Sequence, residues 1–163
     1  MSTGLFIPQD VVPFSLLAPA ADAAGRTSTY KSLKGAVKAW IVVHIGQGAA
    51  NTILLSPMQA LAVAGTSPIA CRACRIWYKS TAAATDFTKA TEATTYTTSA
   101  DVDAKVVVFE IDPNKSLTPE HATGVYDCVA VSTGASAAAN ITSALLLVQM
   151  RHQGASVDNV LAD

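Results

Sequence analysis

Hydrophobic residues recur at every second position over several short segments of this chain. That spacing is typical of β-strands with one buried face. It is clearest in residues 37–45, whose apolar face consists of Val37, Ala39, Ile41, Val43 and Ile45 and whose mixed face consists of Lys38, Trp40, Val42 and His44. Further strands are predicted for residues 71–79, 105–111, 125–133 and 140–152.

The connections between these segments carry turn signals. Gly46 and Gly48 allow positive φ angles, so residues 37–45 and 53–55 are predicted to form a hairpin that ends at Pro57. Residues 58–64 fit either one or two helical turns or an irregular crossing. Residues 80–100 contain few large apolar groups and are interpreted as a surface excursion, in which residues 94–98 pair weakly at a sheet edge.

Turn signals at short intervals, without long helices between the strands, predict an all-β fold. The expected architecture is an antiparallel β-sandwich or a jelly-roll-like barrel formed by residues 30–153, followed by a C-terminal tail, residues 154–163. Residues 1–29 are predicted to form an extended N-terminal arm. Pro8, Pro13 and Pro19 there exclude a long helix or a central strand.

The predicted arm is strongly apolar and would be an adhesive surface if it were exposed. We therefore expect its own sandwich or a neighbouring subunit to cover it. Together with one tryptophan of the mixed strand face it forms the predicted partner interface, which consists of Leu5, Phe6, Ile7, Val11, Val12, Phe14, Leu16, Leu17 and Trp40.

Composition and charge exclude several functional classes. Hydrophobic residues make up 50% of the 163 residues and charged residues 14%, a balance suited to burial against partners. A net charge of -1 gives no basic field for direct binding of nucleic acid. No apolar run approaches the roughly 20 residues that cross a bilayer, so no membrane contact is expected. The N-terminal sequence lacks the basic region of a secretory signal.

The residues that carry chemistry form no complete motif. Cys71 and Cys74 have the spacing of half a zinc site, but no second pair of ligands accompanies them. The three cysteines are expected to be buried free thiols in a protein made in a reducing compartment. No catalytic, cofactor-binding or metal-binding residue is predicted, no cofactor is expected, and an enzyme is the least supported class.

Two stretches carry a resemblance to a known family. The first is the succession of strand, glycine turn, N-T-I strand, Q-A and A-G-T in residues 41–66. The second is V-x-F-E-I-D-P followed by Y-D-C-V-x-V in residues 107–131. Over residues 32–151 the chain resembles a family of small virion structural proteins of tailed bacteriophages that decorate or cement the capsid.

The resemblance implies a virion structural protein that binds the capsid lattice and stabilises it. Its expected partners are the major capsid protein and further copies of itself, as a dimer or trimer. Its expected location is the phage head surface, after synthesis in the host cytoplasm. In this hypothesis residues 5–17 dock on a symmetry mate or on the major capsid protein.

Two alternatives remain open. A phage tail or baseplate component would share the same β-framework and the same need to oligomerise. A carbohydrate-binding module would use Trp40, Trp77 or Tyr78 as an aromatic platform.

Overall fold

The computed structural model describes residues 10–119 and 121–151. Their strands are β1 (Val11–Ala21), β2 (Arg26–Thr27), β3 (Lys31–Ser32), β4 (Ala36–Gln47), β5 (Leu54–Ala60), β6 (Ile69–Ala70), β7 (Arg75–Lys79), β8 (Thr88–Lys89), β9 (Tyr96–Thr97), β10 (Ala104–Ile111), β11 (Cys128–Thr133) and β12 (Asn140–Met150).

The strands form two antiparallel sheets that pack face to face. Sheet A has the order β1-β12-β4-β10-β7-β8. Sheet B has the order β2-β11-β5-β6, with β3 also paired to β11 and β9 to β5. The predicted all-β antiparallel sandwich is therefore confirmed. Sheet A supplies the three longest strands, β1, β4 and β12, and β4 lies between β12 and β10 near its centre.

The core lies between the two sheets and follows the alternation in the sequence. The inward residues of β4, β10 and β12 are fully or almost fully buried, and they include Ile41, Val43, Ile45, Val107, Phe109, Ile111, Leu146 and Val148. Sheet B contributes Leu55, Val129 and Val131 to the same cluster. Burying each such side chain contributes about 1.5–3 kcal/mol, so this interior dominates the stability of the sandwich.

The predicted hairpin between residues 37–45 and 53–55 is wrong. β4 belongs to sheet A and β5 to sheet B, so residues 48–53 cross from one sheet to the other. Gly46 and Gly48 have no positive φ. Gly48 is instead required for close approach, because an added Cβ would lie 2.6 Å from the Ala139 carbonyl oxygen.

Pro57 does not end the second strand. It lies inside β5, paired with Val131 of β11, and the strand continues to Ala60. On the opposite side of β5, β9 pairs with Leu54 and Leu55 and β6 with Met58 and Gln59, so Pro57 lies between these two short partners. A proline is tolerated there because its missing N–H interrupts no ladder. Residues 58–60, which the sequence left undecided, are strand.

The structure also corrects the predicted boundary between arm and body at residues 29 and 30. Val11–Ala21 forms β1, which pairs with β12 as an edge strand of sheet A. Prolines disfavour a central strand but are accepted at an edge, which explains Pro13 and Pro19 in β1. Residues 1–9 and the predicted tail, residues 154–163, lie outside the described residues.

A buried ion pair fixes the end of β1 to both sheets. Asp22 is fully buried, and its Oδ1 accepts hydrogen bonds from Arg26 Nε at 3.0 Å and Thr133 Oγ1 at 2.8 Å. Arg26 Nη2 donates to the Thr142 carbonyl oxygen at 2.7 Å and to the Ala20 carbonyl oxygen at 3.0 Å. These bonds join β1, β2, β11 and β12, and they make the segment before residue 30 part of the sandwich.

The predicted strand over residues 71–79 starts later than expected. β7 begins at Arg75, and Cys74 forms only an isolated bridge with Ala93. Cys71 and Cys74 are both buried in the core, as free thiols. The strand rule that places residues three apart on opposite faces therefore does not apply to this pair.

A single substitution tests the turn that follows Asp22. Gly25 has a φ of 71°, and an added Cβ would lie 2.6 Å from the Thr133 carbonyl oxygen. Gly25→Ala should lower the free energy of unfolding by at least about 2 kcal/mol, measured by urea denaturation. Gly46→Ala is the control, since its Cβ would meet nothing closer than 3.9 Å. Equal stability of the two variants would contradict this account.

Candidate functional site

The outward face of sheet A is the most extensive candidate for an interaction surface. Because side chains alternate across a strand, the residues between the core positions of β12, β4, β10 and β7 project outwards. Strand register aligns them in three rows. The rows are Leu147–Trp40–Glu110–Arg75, Leu145–Val42–Val108–Trp77 and Ser143–His44–Val106–Lys79. We call these twelve residues the outer face.

The centre of the outer face is apolar. The middle row contains no polar group except the indole N–H of Trp77. Leu145 is 49% exposed, and Ile141, farther along β12, is 48% exposed. Val42, Val106, Val108 and Leu147 are half-buried by their neighbours. A contiguous apolar patch on a sheet, as opposed to scattered apolar residues, indicates a contact surface.

An ion-pair network borders one end of the outer face. The Glu110 carboxylate forms ion pairs with Lys38 and with Arg75 Nη1, the latter at 3.5 Å. Trp77 Nε1 donates to Glu110 Oε2 at 3.5 Å, and the Lys38 ammonium lies 5.6 Å from the Trp40 ring centroid. Burial opposes ionisation of Glu110, but the hydrogen bonds and charges of its neighbours outweigh that effect and lower its pKa.

This network holds the aromatic residues in place. Glu110 lies between Trp40 and Arg75 in its row, and it bonds Trp77 in the next row. Arg75 Nε also pairs with Glu92 at 3.3 Å. Each of these charged side chains is paired with one of opposite charge. This end of the outer face therefore presents aromatic side chains in fixed positions, bordered by ion pairs.

The predicted interface residues occupy three different places. Leu5, Phe6 and Ile7 lie outside the described residues. Val11, Val12, Phe14, Leu16 and Leu17 lie in β1, where Val11, Leu16 and Leu17 are buried and Phe14 packs against the core. Trp40 lies two strands away on the outer face. Most of the apolar residues of β1 are therefore packed inside the sandwich and are not exposed to a partner.

The sequence prediction missed Leu145, Leu147, Val108 and Trp77 as members of one surface. A signal for them was present, since Leu145-Leu146-Leu147 and Val106-Val107-Val108 are apolar at consecutive positions. Such runs indicate a strand that is apolar on both faces. Because the opposite face of an antiparallel strand is commonly solvated, an apolar one points to a second burial surface.

Comparison with known proteins identifies no relative. No protein-family model, no curated protein and no solved structure matches the chain.

Two further observations concern the described part of the chain. None of it forms a helix long and apolar enough to cross a membrane. In the same residues, no three side chains of His, Cys, Asp or Glu are grouped so as to hold a metal ion.

Proposed function

We propose that this chain is a structural protein of a tailed-bacteriophage virion that binds the capsid lattice and stabilises it. The observation that carries the proposal is the apolar outer face, on a rigid sheet whose strands are fixed by two-sided pairing. A decoration protein needs a stiff body with a flat contact surface, and it needs no catalytic group. The resemblance in residues 41–66 and 107–131 supports the same assignment.

The size of the outer face indicates how much of the contact it supplies. It covers four strands of about 4.8 Å each and three rows about 6.6 Å apart, an area of roughly 400 Å². That is about half of the ~800 Å² that each partner buries in a standard interface. In this proposal the outer face docks on the major capsid protein, and residues 5–7 of the predicted arm add to the contact.

The structure revises the original docking hypothesis for residues 5–17. Leu16 and Leu17 are in the core, and β1 is paired with β12, so this part of the segment is not free to lie across a neighbouring subunit. The proposal therefore transfers the main contact from the N-terminal segment to Trp40, Leu145 and Leu147.

Substitution of the most exposed leucine tests the proposal. Leu145→Glu should reduce binding to capsids assembled without this chain by at least about tenfold, because a charge would be buried in an apolar contact. Cosedimentation with such capsids measures the bound fraction. Val125→Glu is the matched control, since Val125 is 59% exposed and lies outside sheet A. Equal binding of the two variants would refute docking through the outer face.

Imaging separates the head assignment from the tail or baseplate alternative. Cryo-electron microscopy of particles of the phage that encodes the chain should show the sandwich on the head lattice with sheet A facing the shell. Density for the chain on the tail would replace the decoration hypothesis with the tail hypothesis. Absence from the particle would overturn both.

A further inference from the structure

A cleft opens between the two sheets on the side opposite β1. It has a volume of about 380 Å³ and is lined by residues from the ends of β7 and β10, from β9, and from the segment after β9. The outer face lies on the other side of sheet A and shares with the cleft lining only Lys79, at the end of β7. Ligand sites commonly measure 300–1,000 Å³, which places the cleft at the small end of that range.

One wall of the cleft is aromatic. Tyr78 of β7 and Tyr96 of β9 bring their ring centroids to 5.3 Å with a tilt of 33°. The rings touch each other across the gap between sheets A and B, so they form one continuous apolar wall. The hydroxyls of Tyr78, Tyr96, Ser80 and Thr97 make no hydrogen bond to another described residue. They are therefore available to a ligand.

A second part of the cleft lining is polar and held by hydrogen bonds. Lys105 is 2% exposed, and its ammonium donates to Gln47 Oε1, the Ser99 carbonyl oxygen and the Asp101 carbonyl oxygen at 2.6–2.8 Å. Gln47 Nε2 donates to the same Ser99 carbonyl oxygen at 2.8 Å. Thr98 Oγ1 also donates to Gln47 Oε1. These bonds hold residues 98–101 in one conformation, which reduces the ordering cost of binding.

The lining of the cleft carries charges of both signs. All three ammonium protons of Lys105 are engaged by protein oxygens. The Lys79 ammonium donates to the Thr85 carbonyl oxygen at 2.9 Å and lies 4.9 Å from the Phe87 ring centroid. Asp101 contributes a negative charge near Lys105. Neither Lys79 nor Asp101 forms an ion pair with a described residue, so the Asp101 carboxylate can accept hydrogen bonds from hydroxyls of a ligand.

We infer that this cleft binds a saccharide of one or two sugar rings. A sugar ring has an apolar C–H face that can lie on the tyrosine wall and hydroxyls that pair with the free hydroxyls and carbonyl oxygens of the rim. The inference does not rest on the proposed capsid role. A failure here would leave that role intact, and a failure of capsid binding would leave the cleft intact.

Titration by NMR tests the inference on the full chain. Glucose, galactose, mannose, N-acetylglucosamine, maltose and cellobiose are added singly to the isotope-labelled protein, with adenosine as a non-saccharide aromatic probe. At least one sugar should shift the amide signals of residues 78–80 and 96–101, with a Kd at or below about 1 mM. No shift with any of the six sugars, or shifts with adenosine alone, would overturn the inference.

Variants on the two faces of β7 locate the site. Tyr78→Ala should weaken sugar binding at least about tenfold by removing half of the aromatic wall, and Tyr78→Phe should show the contribution of the hydroxyl alone. Trp77→Ala is the matched control, because Trp77 is the adjacent aromatic residue on the outer face. Circular dichroism melting establishes that each variant is folded. Loss of binding in Trp77→Ala but not in Tyr78→Ala would transfer the site to the tryptophan platform.

Discussion

Lys105→Ala should lower the free energy of unfolding by about 3 kcal/mol, measured by urea denaturation at pH 7. Lys105 is almost fully buried and supplies three charge-assisted hydrogen bonds that join β10 to β4 and to residues 99–101. Removing the side chain leaves the Asp101 carbonyl oxygen without this donor and opens a void between the sheets. Burial also lowers the pKa of Lys105, against the opposing charges of Asp101 and Asp103.

Two further variants separate packing from hydrogen bonding. Lys105→Met keeps most of the volume and loses the ammonium, so about half of the destabilisation should remain if the bonds and the void contribute equally. Lys79→Ala removes a partly exposed lysine with one backbone partner and should cost less than about 0.5 kcal/mol. The backbone N–H of Gln47 donates to the Asp103 carbonyl oxygen, and its hydrogen exchange should accelerate in Lys105→Ala. If Lys105→Ala were as stable as Lys79→Ala, the hydrogen bonds of Lys105 would not be what holds residues 99–101 against β4 and β10.

Lys105 shows which features of the fold the alternating sequence pattern predicts and which it does not. Residues 105, 107, 109 and 111 alternate along the strand and therefore lie on the same face. Three of them are the apolar core residues Val107, Phe109 and Ile111. The alternation therefore placed a lysine on the inward face at the end of a core strand. Its partners could not be deduced, because Gln47 and Ser99 belong to segments that pairing in three dimensions brings together.

Local alternation predicted strands well but not the sheet to which each belongs. β11 and β12 lie within segments that were predicted as strands, and β4 and β10 extend the predicted segments 37–45 and 105–111 by one or two residues at their ends. Whether β5 pairs with β4 or crosses to the other sheet depends on long-range contacts with β11, which have no local signature. The same limit explains β1, whose partner β12 lies about 130 residues along the chain.

The candidate surface was predicted only in part, for a related reason. Trp40 was assigned correctly to a mixed outward face, but a face is a property of several strands and needs their order and register. With the order β12-β4-β10-β7, Leu145, Val42, Val108 and Trp77 become neighbours in one row. Of the two expected ways to cover the N-terminal segment, its own sandwich covers Leu16 and Leu17, because an apolar strand can be buried in an intramolecular core as well as against a partner.

Alkaline pH should destabilise the fold well before its lysines lose their charge. Burial raises the pKa of the Cys71 thiol, and the neighbouring Cys74 adds to the effect. Burial, followed by the charge of Glu92, raises the pKa of Cys74 from 9.0 to about 11. Burial likewise raises the pKa of Tyr96 to about 12 and that of Tyr30 above its ordinary value.

The sign of the effect follows from proton linkage. Below pH 9 these groups are protonated in both states and do not alter stability, whereas above it the unfolded chain releases protons that the folded chain retains. Each thiol then costs about 1.4 kcal/mol per pH unit, so the two together should remove about 3 kcal/mol by pH 10. The lowered pKa of Lys105 has the opposite sign and offsets part of this loss as the pH approaches 10.5.

Urea denaturation from pH 7 to pH 10, with a reductant present, measures this slope. The double variant Cys71→Ala, Cys74→Ala should begin less stable at pH 7, because two buried sulfurs are removed, yet lose much less stability on the way to pH 10. Tyr96→Phe is the control, since its ordinary pKa of 10.0 places most of its contribution above that range. Parallel stability curves for the wild type and the double variant would show that the thiols stay accessible to solvent, which would contradict their placement in the core between β7 and sheet B.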